Sequence, residues 1–296
     1  MQDRLGFRRA FRARLAGFHR RCRILAAASS LVCLSSPAAS IPTFADKQPP
    51  TPIEQPALWV LSDADTTIYL FGTFHALDER IDWLARPIRA AFDSSDELVL
   101  ETVVPADPAE LLGILAKHDL IPAPVIGAPV IASTDESIAV AGSTMAVGRS
   151  AGLTPERGAD AVLRRIADAQ GKPVDGLESF DFQLGMVKGL PTTTGAPAPT
   201  AAPHPEVRQV LLAMRSAWKR GDGSDIAAVL NHLEAQSPAT YQRLFVDRNK
   251  HWASWIADRM TRPGTVFVAV GTGHLIGRDS LQQKLARHGY RTMRIK

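Results

Sequence analysis

Ile68-Tyr-Leu-Phe-Gly-Thr-Phe-His75 and Val266-Phe-Val-Ala-Val-Gly-Thr-Gly-His274, near opposite ends of the chain, share one pattern. Each stretch is an apolar run rich in β-forming residues, and each ends in Gly-x-x-His. Both runs are predicted to be buried strands, so each places a histidine just past a strand end. The repetition predicts that the fold brings two imidazoles to one edge of a sheet.

Two further predicted strands lead to acidic residues. Glu97–Leu100 is predicted as a buried strand that closes at Glu101, and Pro173–Leu177 leads to Glu178. Helix signals lie between the strands, such as the cap at Asp107-Pro108. Strands that alternate with helices predict an α/β fold with a mixed, partly parallel central sheet and surrounding helices.

The four strand ends suggest a single site. Their side chains are those of His75, Glu101, Glu178 and His274. If the strands run parallel, these side chains lie at the edge where open α/β sheets bind ligands. Two imidazoles and two carboxylates suit a divalent metal ion such as Mn, Co or Zn that keeps one position open for water. Taken singly, each histidine is more often a loop or capping residue, and each glutamate more often a capping or surface acid; the recurrence of Gly-x-x-His makes a site about as well supported as these readings.

Arg248 occupies an unusual position in the predicted helix 238–260. The apolar stripe of this helix contains Tyr241, Leu244, Phe245, Trp252, Trp255 and Ile256. An arginine within such a stripe needs a partner. Arg248 therefore forms a structural ion pair, holds a site carboxylate, or binds an anionic group of a substrate.

A competing motif is Gly148-Arg-Ser150-Ala-Gly152, which fits the Gly-x-Ser-x-Gly nucleophile elbow. His274 lies later in the chain, as a triad histidine would. The elbow requires a strand-to-helix turn at the serine, but the helix signals come later, at Thr154-Pro155. A serine hydrolase that uses Ser150 is therefore a third functional reading, ranked below the two given at the end of this subsection.

Residues 1–45 predict a secretory signal peptide. Residues 1–23 carry eight arginines and one acid, and a short apolar run and small residues follow at 24–40. The apolar run is too short to span a bilayer. We expect an exported protein, periplasmic or extracellular, without a membrane span in the mature chain. A leader that is retained would instead anchor the protein to the membrane.

The remainder of the chain is nearly neutral and free of cysteine. It carries 26 basic and 29 acidic residues, which gives no support for nucleic-acid binding. Both cysteines lie in the leader, so the mature protein has no disulfide and no thiolate metal site. After a Pro-rich lead-in at 46–56, residues 57–296 are expected to form a single domain with a low-complexity insertion at 192–203.

With these motifs in view, the chain resembles the TraB/GumN family, whose relatives include the Tiki metalloproteases. The matching stretches are Leu58-Trp59, Leu70–His75, Leu98–Glu101, Gly171–Glu178 with Gln183, Asp247–Asn249 with Trp252, and Val266–Gly277. They follow the family's order and cover most of 57–295. Residues 118–148 and 192–203 match nothing in the family pattern.

The resemblance implies an α/β fold and a site made of the two Gly-x-x-His motifs, the glutamates and an arginine. It implies His75 and His274 as metal ligands, Glu101 and Glu178 as ligand or base, and Arg248 as an electrostatic stabiliser. We expect Glu178 to be the third ligand, with Glu101 and Arg248 as the catalytic residues.

Two functional readings follow from the resemblance. Tiki relatives are metal-dependent proteases, whereas the GumN branch is associated with polysaccharide gene clusters. The first reading is an exported metal-dependent hydrolase that acts on a peptide or an envelope polymer. The alternative is a non-catalytic cell-envelope binding or assembly factor.

Overall fold

The computed structural model describes residues 54–78, 82–84, 86–123, 130–132, 148–188, 190 and 205–295. Every described residue lies in one compact unit, Pro52–Lys296. The predicted leader 1–45 and the insertion 192–203 fall outside the described residues, as does most of the lead-in 46–56. These three assignments stay predictions.

The strands of the described residues form two sheets. They are β1 (Leu58–Ser62), β2 (Thr66–Thr73), β3 (Glu97–Val103), β4 (Ile121–Ala123), β5 (Val130–Ala132), β6 (Val174–Ser179), β7 (Gly264–Gly271) and β8 (Met293–Ile295). Six of them form the central sheet, in the order β6-β3-β7-β2-β1-β8. Strands β4 and β5 form a separate antiparallel pair.

Four neighbouring strands of the central sheet, β6, β3, β7 and β2, run parallel. Strand β1 is antiparallel to both β2 and β8. In the β2–β7 pair, Gly72 lies opposite Val270 and Thr73 opposite Gly271. The two Gly-x-x-His motifs therefore leave the sheet side by side, and the prediction of a mixed, partly parallel sheet is confirmed.

The helices of the described residues surround this sheet. They are α1 (Arg86–Asp93), α2 (Pro108–Lys117), α3 (Ala159–Gln170), α4 (Phe180–Lys188), α5 (Pro205–Lys219), α6 (Ser224–Gln236), α7 (Pro238–Tyr241), α8 (Asp247–Arg259) and α9 (Leu281–Arg287). A π-helix, Gln242–Val246, joins α7 to α8, and Thr272–Leu275 form a 3₁₀ turn after β7. Within the described ranges, no helix combines the length and apolarity needed to cross a membrane.

Two helix predictions differ from the structure. The helix expected from Thr154 begins only at Ala159, because Pro155–Arg157 form a 3₁₀ turn and Gly158 is the N-cap. The long helix expected over 238–260 is interrupted by the π-helix at Gln242–Val246. Apolar periodicity predicts the helical face, but it does not reveal one extra residue within a turn.

The sheet separates two cores. Along β7, Phe267 and Ala269 join one core, whereas Val266, Val268 and Val270 join the other. Helices α1, α3, α5 and α6 pack in the first core, and α8 and α9 pack in the second. Because both faces of the sheet are buried, its central strands are continuous apolar runs rather than alternating ones.

The start of α3 packs against the loop that follows β2. The Ala159 N–H donates to the Phe74 carbonyl oxygen at 3.0 Å. Gly158 lies so close to this loop that a Cβ atom would overlap the His75 carbonyl oxygen. The absence of a side chain at Gly158 therefore determines how closely α3 approaches His75.

We expect Gly158→Ala to destabilise the fold by about 1–3 kcal/mol, because the loop must move to accommodate the methyl group. Gly113→Ala is the matched control, since its methyl group would contact nothing on α2 and alanine favours a helix by about 1 kcal/mol. Urea unfolding of both variants measures the difference. Equal free energies of unfolding for the two variants would contradict the close approach.

Candidate functional site

The carboxyl ends of the parallel strands bring together the residues that the sequence predicts for a site. Glu101 lies in β3 and Glu178 in β6, whereas His75 follows β2 and His274 lies in the 3₁₀ turn after β7. Strands β3 and β6 run further than the sequence predicts, so both glutamates lie within strands rather than past their ends. The chemical roles of these residues stay predictions.

Arg248, at the start of α8, joins both glutamates. Its Nε donates to the two oxygens of Glu178 at 2.9 and 3.0 Å. Its Nη2 donates to Glu101 Oε2 at 2.7 Å. Burial opposes the charge of Arg248, but the two carboxylates outweigh it and raise the arginine pKa above its usual value. Arg248 is therefore a fixed cation in the site.

Glu178 is saturated by protein donors. Besides Arg248, the indole Nε1 of Trp252 donates to its Oε1 at 3.0 Å, and its side chain is only 3 % exposed. The Arg248 guanidinium in turn lies 4.5 Å from the centroid of the Trp252 ring. The carboxylate of Glu178 thus balances Arg248 within the protein interior.

Glu101 contacts the same Nη2 of Arg248 that lies 2.9 Å from Glu178 Oε2. The Gly271 N–H donates to its Oε1 at 2.5 Å, and Gln183 Nε2 lies 3.5 Å from its Oε2. Burial would raise the pKa of Glu101, but attraction to His274, Arg248 and His75, together with the amide bond, lowers it to about 2. Glu101 is therefore ionised at neutral pH.

His274 is held as one neutral tautomer by Asn249. The Asn249 amide Nδ2 donates to the backbone oxygens of His274 and Asp279, at 3.2 and 2.8 Å. Its Oδ1 is therefore the acceptor that faces His274 Nδ1 at 2.8 Å, and Nδ1 carries the proton. Nε2 of the same ring accepts from Arg248 Nη1 at 3.2 Å.

The surroundings of His274 keep it neutral. Its ring lies 4.4 Å from the centroid of Trp252 and 4.9 Å from that of Phe245. Burial lowers the pKa of His274 to about 3, with Arg248 and His75 adding to the effect and Glu101 opposing it. Because His274 is neutral at pH 7, Arg248 and His75 are the cations that keep Glu101 ionised.

His75 has the opposite protonation. Its Nδ1 lies 3.0 Å from Asp160 Oδ1, and 62 % of its side chain is exposed, within the cavity described below. Burial lowers its pKa, but the hydrogen bond and charge of Asp160 and the charge of Glu101 outweigh this and raise the pKa to about 9. His75 is therefore a cation at neutral pH.

Asp160 is the residue that the sequence analysis missed. It lies in the first turn of α3, 85 residues from His75, and no motif marks it. The contacts of Gly158 and Ala159 with the loop after β2 place it beside the imidazole. The pair resembles a histidine with an orienting carboxylate, in which the free Nε2 is available for chemistry.

These residues form the polar end of a cavity of about 490 Å³. It is lined by His75, Glu101, Arg248, Thr272 and His274, and also by apolar side chains of α5, α6 and the π-helix. Glu178 is not among its lining residues and instead lines a neighbouring cavity of about 790 Å³. A Cβ atom on Gly271 would lie 2.9 Å from both Glu101 Oε1 and His75 Nε2. The acid and the imidazole therefore both lie against Gly271, where a side chain would collide with them.

The donor set does not form a three-ligand metal site in the described residues. No group of three histidine, cysteine or acidic side chains among them could hold an ion. Both oxygens of Glu178 accept hydrogen bonds from Arg248, and His274 Nε2 faces the same cation. Catalytic zinc sites ordinarily use three protein ligands. His75 and Glu101 both place donor atoms beside Gly271.

The π-helix shapes the wall beside His274. It presents Phe245 to the imidazole, and the Leu244 carbonyl accepts from Arg248 Nη1 at 3.4 Å. Single π-turns inside longer helices occur frequently at functional sites. Here the extra residue brings Phe245 and Arg248 to the same imidazole.

Ser150 does not lie on a nucleophile elbow. Gly148–Ser150 are helical and a turn follows at 151–152, with Gly152 at φ +81°. Ser150 is exposed and is not among the residues that line the cavity with His274. Among the described residues of this stretch, Ser150 therefore lies at the end of a helical segment, whereas the Gly-x-Ser-x-Gly reading requires the serine just before a helix.

Comparison with known proteins identifies the family. The TraB/PrgY/gumN family matches residues 57–127 and 126–294, and the chain belongs to this family. Two curated relatives, the uncharacterized protein YbaP of Escherichia coli (strain K12) and that of Shigella flexneri, are each 33 % identical over 135 residues. The match covers 45 % of this chain and 50 % of each relative, so the chain spans about half the length of the relatives it matches. No solved structure matches the chain.

We expect Arg248→Met to destabilise the protein by about 3–5 kcal/mol at pH 7, because Glu101 and Glu178 would be left as unpaired buried charges. In the wild type the lowered pKa of Glu101 contributes stability above its ordinary value of 4.5 that is lost as pH falls toward 2. Without the arginine this contribution to stability disappears. The difference in unfolding free energy between the wild type and the variant should therefore shrink as pH falls through about 5.

Arg259→Met is the control on the same helix. Arg259 pairs with Glu97 at 2.8 Å, and the Glu97 side chain is 28 % exposed, so water can solvate it when the arginine is removed. Urea unfolding at pH 7 and pH 4 compares the two variants. Equal losses for both, without a pH trend, would contradict the central role of Arg248.

Proposed function

We propose that this TraB/PrgY/gumN family protein is a hydrolase that cleaves a carbonyl bond, an ester or an amide, at the polar end of the 490 Å³ cavity. One observation carries the proposal: His75 and Glu101 line the same cavity beside Gly271, where both His75 Nε2 and Glu101 Oε1 lie too close for any side chain on that glycine. One group is a cation and the other an anion at neutral pH. Neighbouring groups with pKa values driven apart are typical acid and base partners.

Each group has a defined part in the reaction. Glu101 accepts a hydrogen bond from the attacking water and takes its proton as the water oxygen bonds to the carbonyl carbon. His75 donates the proton on Nε2 to the leaving oxygen or nitrogen as the bond from carbon to that atom breaks. The proton on Glu101 then passes to His75, which restores both groups. The second proton of the water leaves with the carboxylic acid product.

The remaining residues support this chemistry electrostatically. Arg248 lines the cavity as a fixed cation and stabilises the negative charge that develops on the carbonyl oxygen. Asp160 orients the imidazole of His75 and maintains its charge. Glu178 holds Arg248 in place from the side away from the cavity.

Metal dependence is a second proposal, which the proximity of an imidazole and a carboxylate beside Gly271 favours. His75 and Glu101 both offer a donor atom there, but the described residues supply no third ligand. The reaction above uses no metal for this reason. Export through the predicted leader, and a peptide or envelope polymer as substrate, are also proposals.

The pH dependence of ester hydrolysis tests the role of His75. Because His75 must be protonated to act as the acid, activity toward p-nitrophenyl acetate should fall as pH rises through about 9. In Asp160→Asn this fall in activity should occur at lower pH, toward the ordinary histidine pKa of about 6.5. His75→Ala should lower kcat/KM by about 10²–10⁴-fold.

His288→Ala is the matched control, because His288 is exposed after α9 and does not line the cavity. Activity that instead rises up to pH 9 would make neutral His75 the base and overturn the assignment. Measuring the metal content of the wild type and of Glu101→Gln after incubation with Mn, Co and Zn separates the two proposals. Stoichiometric metal in the wild type that is lost in the variant would favour the metal enzyme. A protein with neither turnover nor metal would favour the envelope binding factor.

A further inference from the structure

The cavity has two chemically different ends. The polar side chains that line it come from the strand ends, the 3₁₀ turn and the start of α8. Helices α5 and α6 contribute Leu211, Met214, Ile226, Val229, Leu230 and Leu233, all of them apolar. Its volume of about 490 Å³ lies within the ordinary range for small-molecule sites. A ligand that fills it must be polar at one end and apolar along the rest.

The apolar lining continues toward solvent along one stripe of α5. Trp218 is buried, Leu211 and Met214 line the cavity, and Val207 and Val210 are 36 and 46 % exposed. These residues recur at helical spacing, so they share one face of the helix. From Met214 to Val207 the stripe extends about 10 Å, at about 1.5 Å per residue.

We propose that the acyl part of the substrate is an unbranched aliphatic chain, which lies between α5 and α6 with its carbonyl carbon at His75 and Glu101. The inference rests on the proposed function, since it names the substrate class of that same site. A chain of roughly eight carbons spans the stripe when it is extended.

A peptide or a glycan substrate fits the apolar walls formed by α5 and α6 less well. An extended peptide carries an N–H and a carbonyl group at every residue, and a glycan carries hydroxyl groups on every ring. Each of these groups loses free energy if it is buried without a hydrogen-bond partner. The side chains that α5 and α6 present to the cavity offer no such partner, whereas methylene groups gain free energy there.

The charges at the polar end suit a carbonyl group or a carboxylate product. Arg248 and His75 are cations that line the cavity. Helices α5 and α6, which form the apolar walls, also carry three exposed apolar residues: Val207, Val210 and Val229. An amphipathic molecule can therefore enter with its chain in contact with α5 and α6 throughout.

The test is a series of p-nitrophenyl esters from acetyl to octanoyl, with the full chain as enzyme. Burial of each methylene group should raise kcat/KM by about two- to fourfold, up to roughly eight carbons. Equal rates for acetyl and octanoyl esters would overturn the inference. So would faster cleavage of a trileucine p-nitroanilide than of octanoyl p-nitroanilide.

Val229→Asp places a charge on the apolar wall at a position that is 37 % exposed, so the fold can tolerate it. This variant should lose the dependence of kcat/KM on chain length. Met293→Asp, at an exposed apolar residue on β8 that does not line the cavity, is the control and should keep the full series. The same chain-length dependence in Val229→Asp as in the wild type would contradict the placement between α5 and α6.

Binding separates this inference from the proposed function. Calorimetry with His75→Gln, which removes the proposed acid, should still show octanoate binding at least tenfold more tightly than butyrate. If no ester is hydrolysed but this preference holds, the chain site stands and the hydrolase proposal fails. If acetyl ester is hydrolysed but octanoate and butyrate bind equally, the hydrolase proposal stands and the aliphatic substrate is rejected.

Discussion

The guanidinium of Arg248 joins groups from three different strands: Glu101 on β3, Glu178 on β6 and His274 after β7. A buried arginine must be matched by acceptors, and each of these acceptors would itself be costly to bury alone. The ion pairs therefore keep the strand ends at one spacing, and the parallel sheet in turn makes that spacing possible. Site geometry and fold depend on each other through this one side chain.

The same cation distinguishes the two Gly-x-x-His motifs. His274 lies against Arg248, Trp252 and Asn249, and it remains a neutral hydrogen-bond partner with its pKa lowered to about 3. His75 faces the cavity beside Asp160, and its pKa is raised to about 9. One imidazole thus serves as an internal support of the site and the other as its chemically available group. The two histidines of the repeated motif therefore differ in protonation because their surroundings differ.

Much of this arrangement follows from the sequence, and the remainder has physical reasons for escaping it. Apolar runs and helix caps predict the α/β fold, and the parallel order then brings His75, Glu101, Glu178 and His274 to one edge. The need of Arg248 for a partner could be anticipated, because the arginine lies on the apolar face of its helix. Asp160 could not, because only the contact of Gly158 with the His75 carbonyl brings it near. The π-helix and the hydrogen bonds that Arg248 and Trp252 donate to Glu178 could not be predicted either, since both depend on tertiary packing.

The most direct measurement is a pH titration of the histidine side chains by NMR, with His75→Gln and His274→Gln spectra to assign the two resonances. We expect His75 to titrate near pH 9 and His274 to stay neutral, protonated on Nδ1, down to about pH 3 or until the protein unfolds. Such a result would establish one charged and one neutral histidine in the same site. Titration of both near their ordinary value of about 6.5 would contradict it.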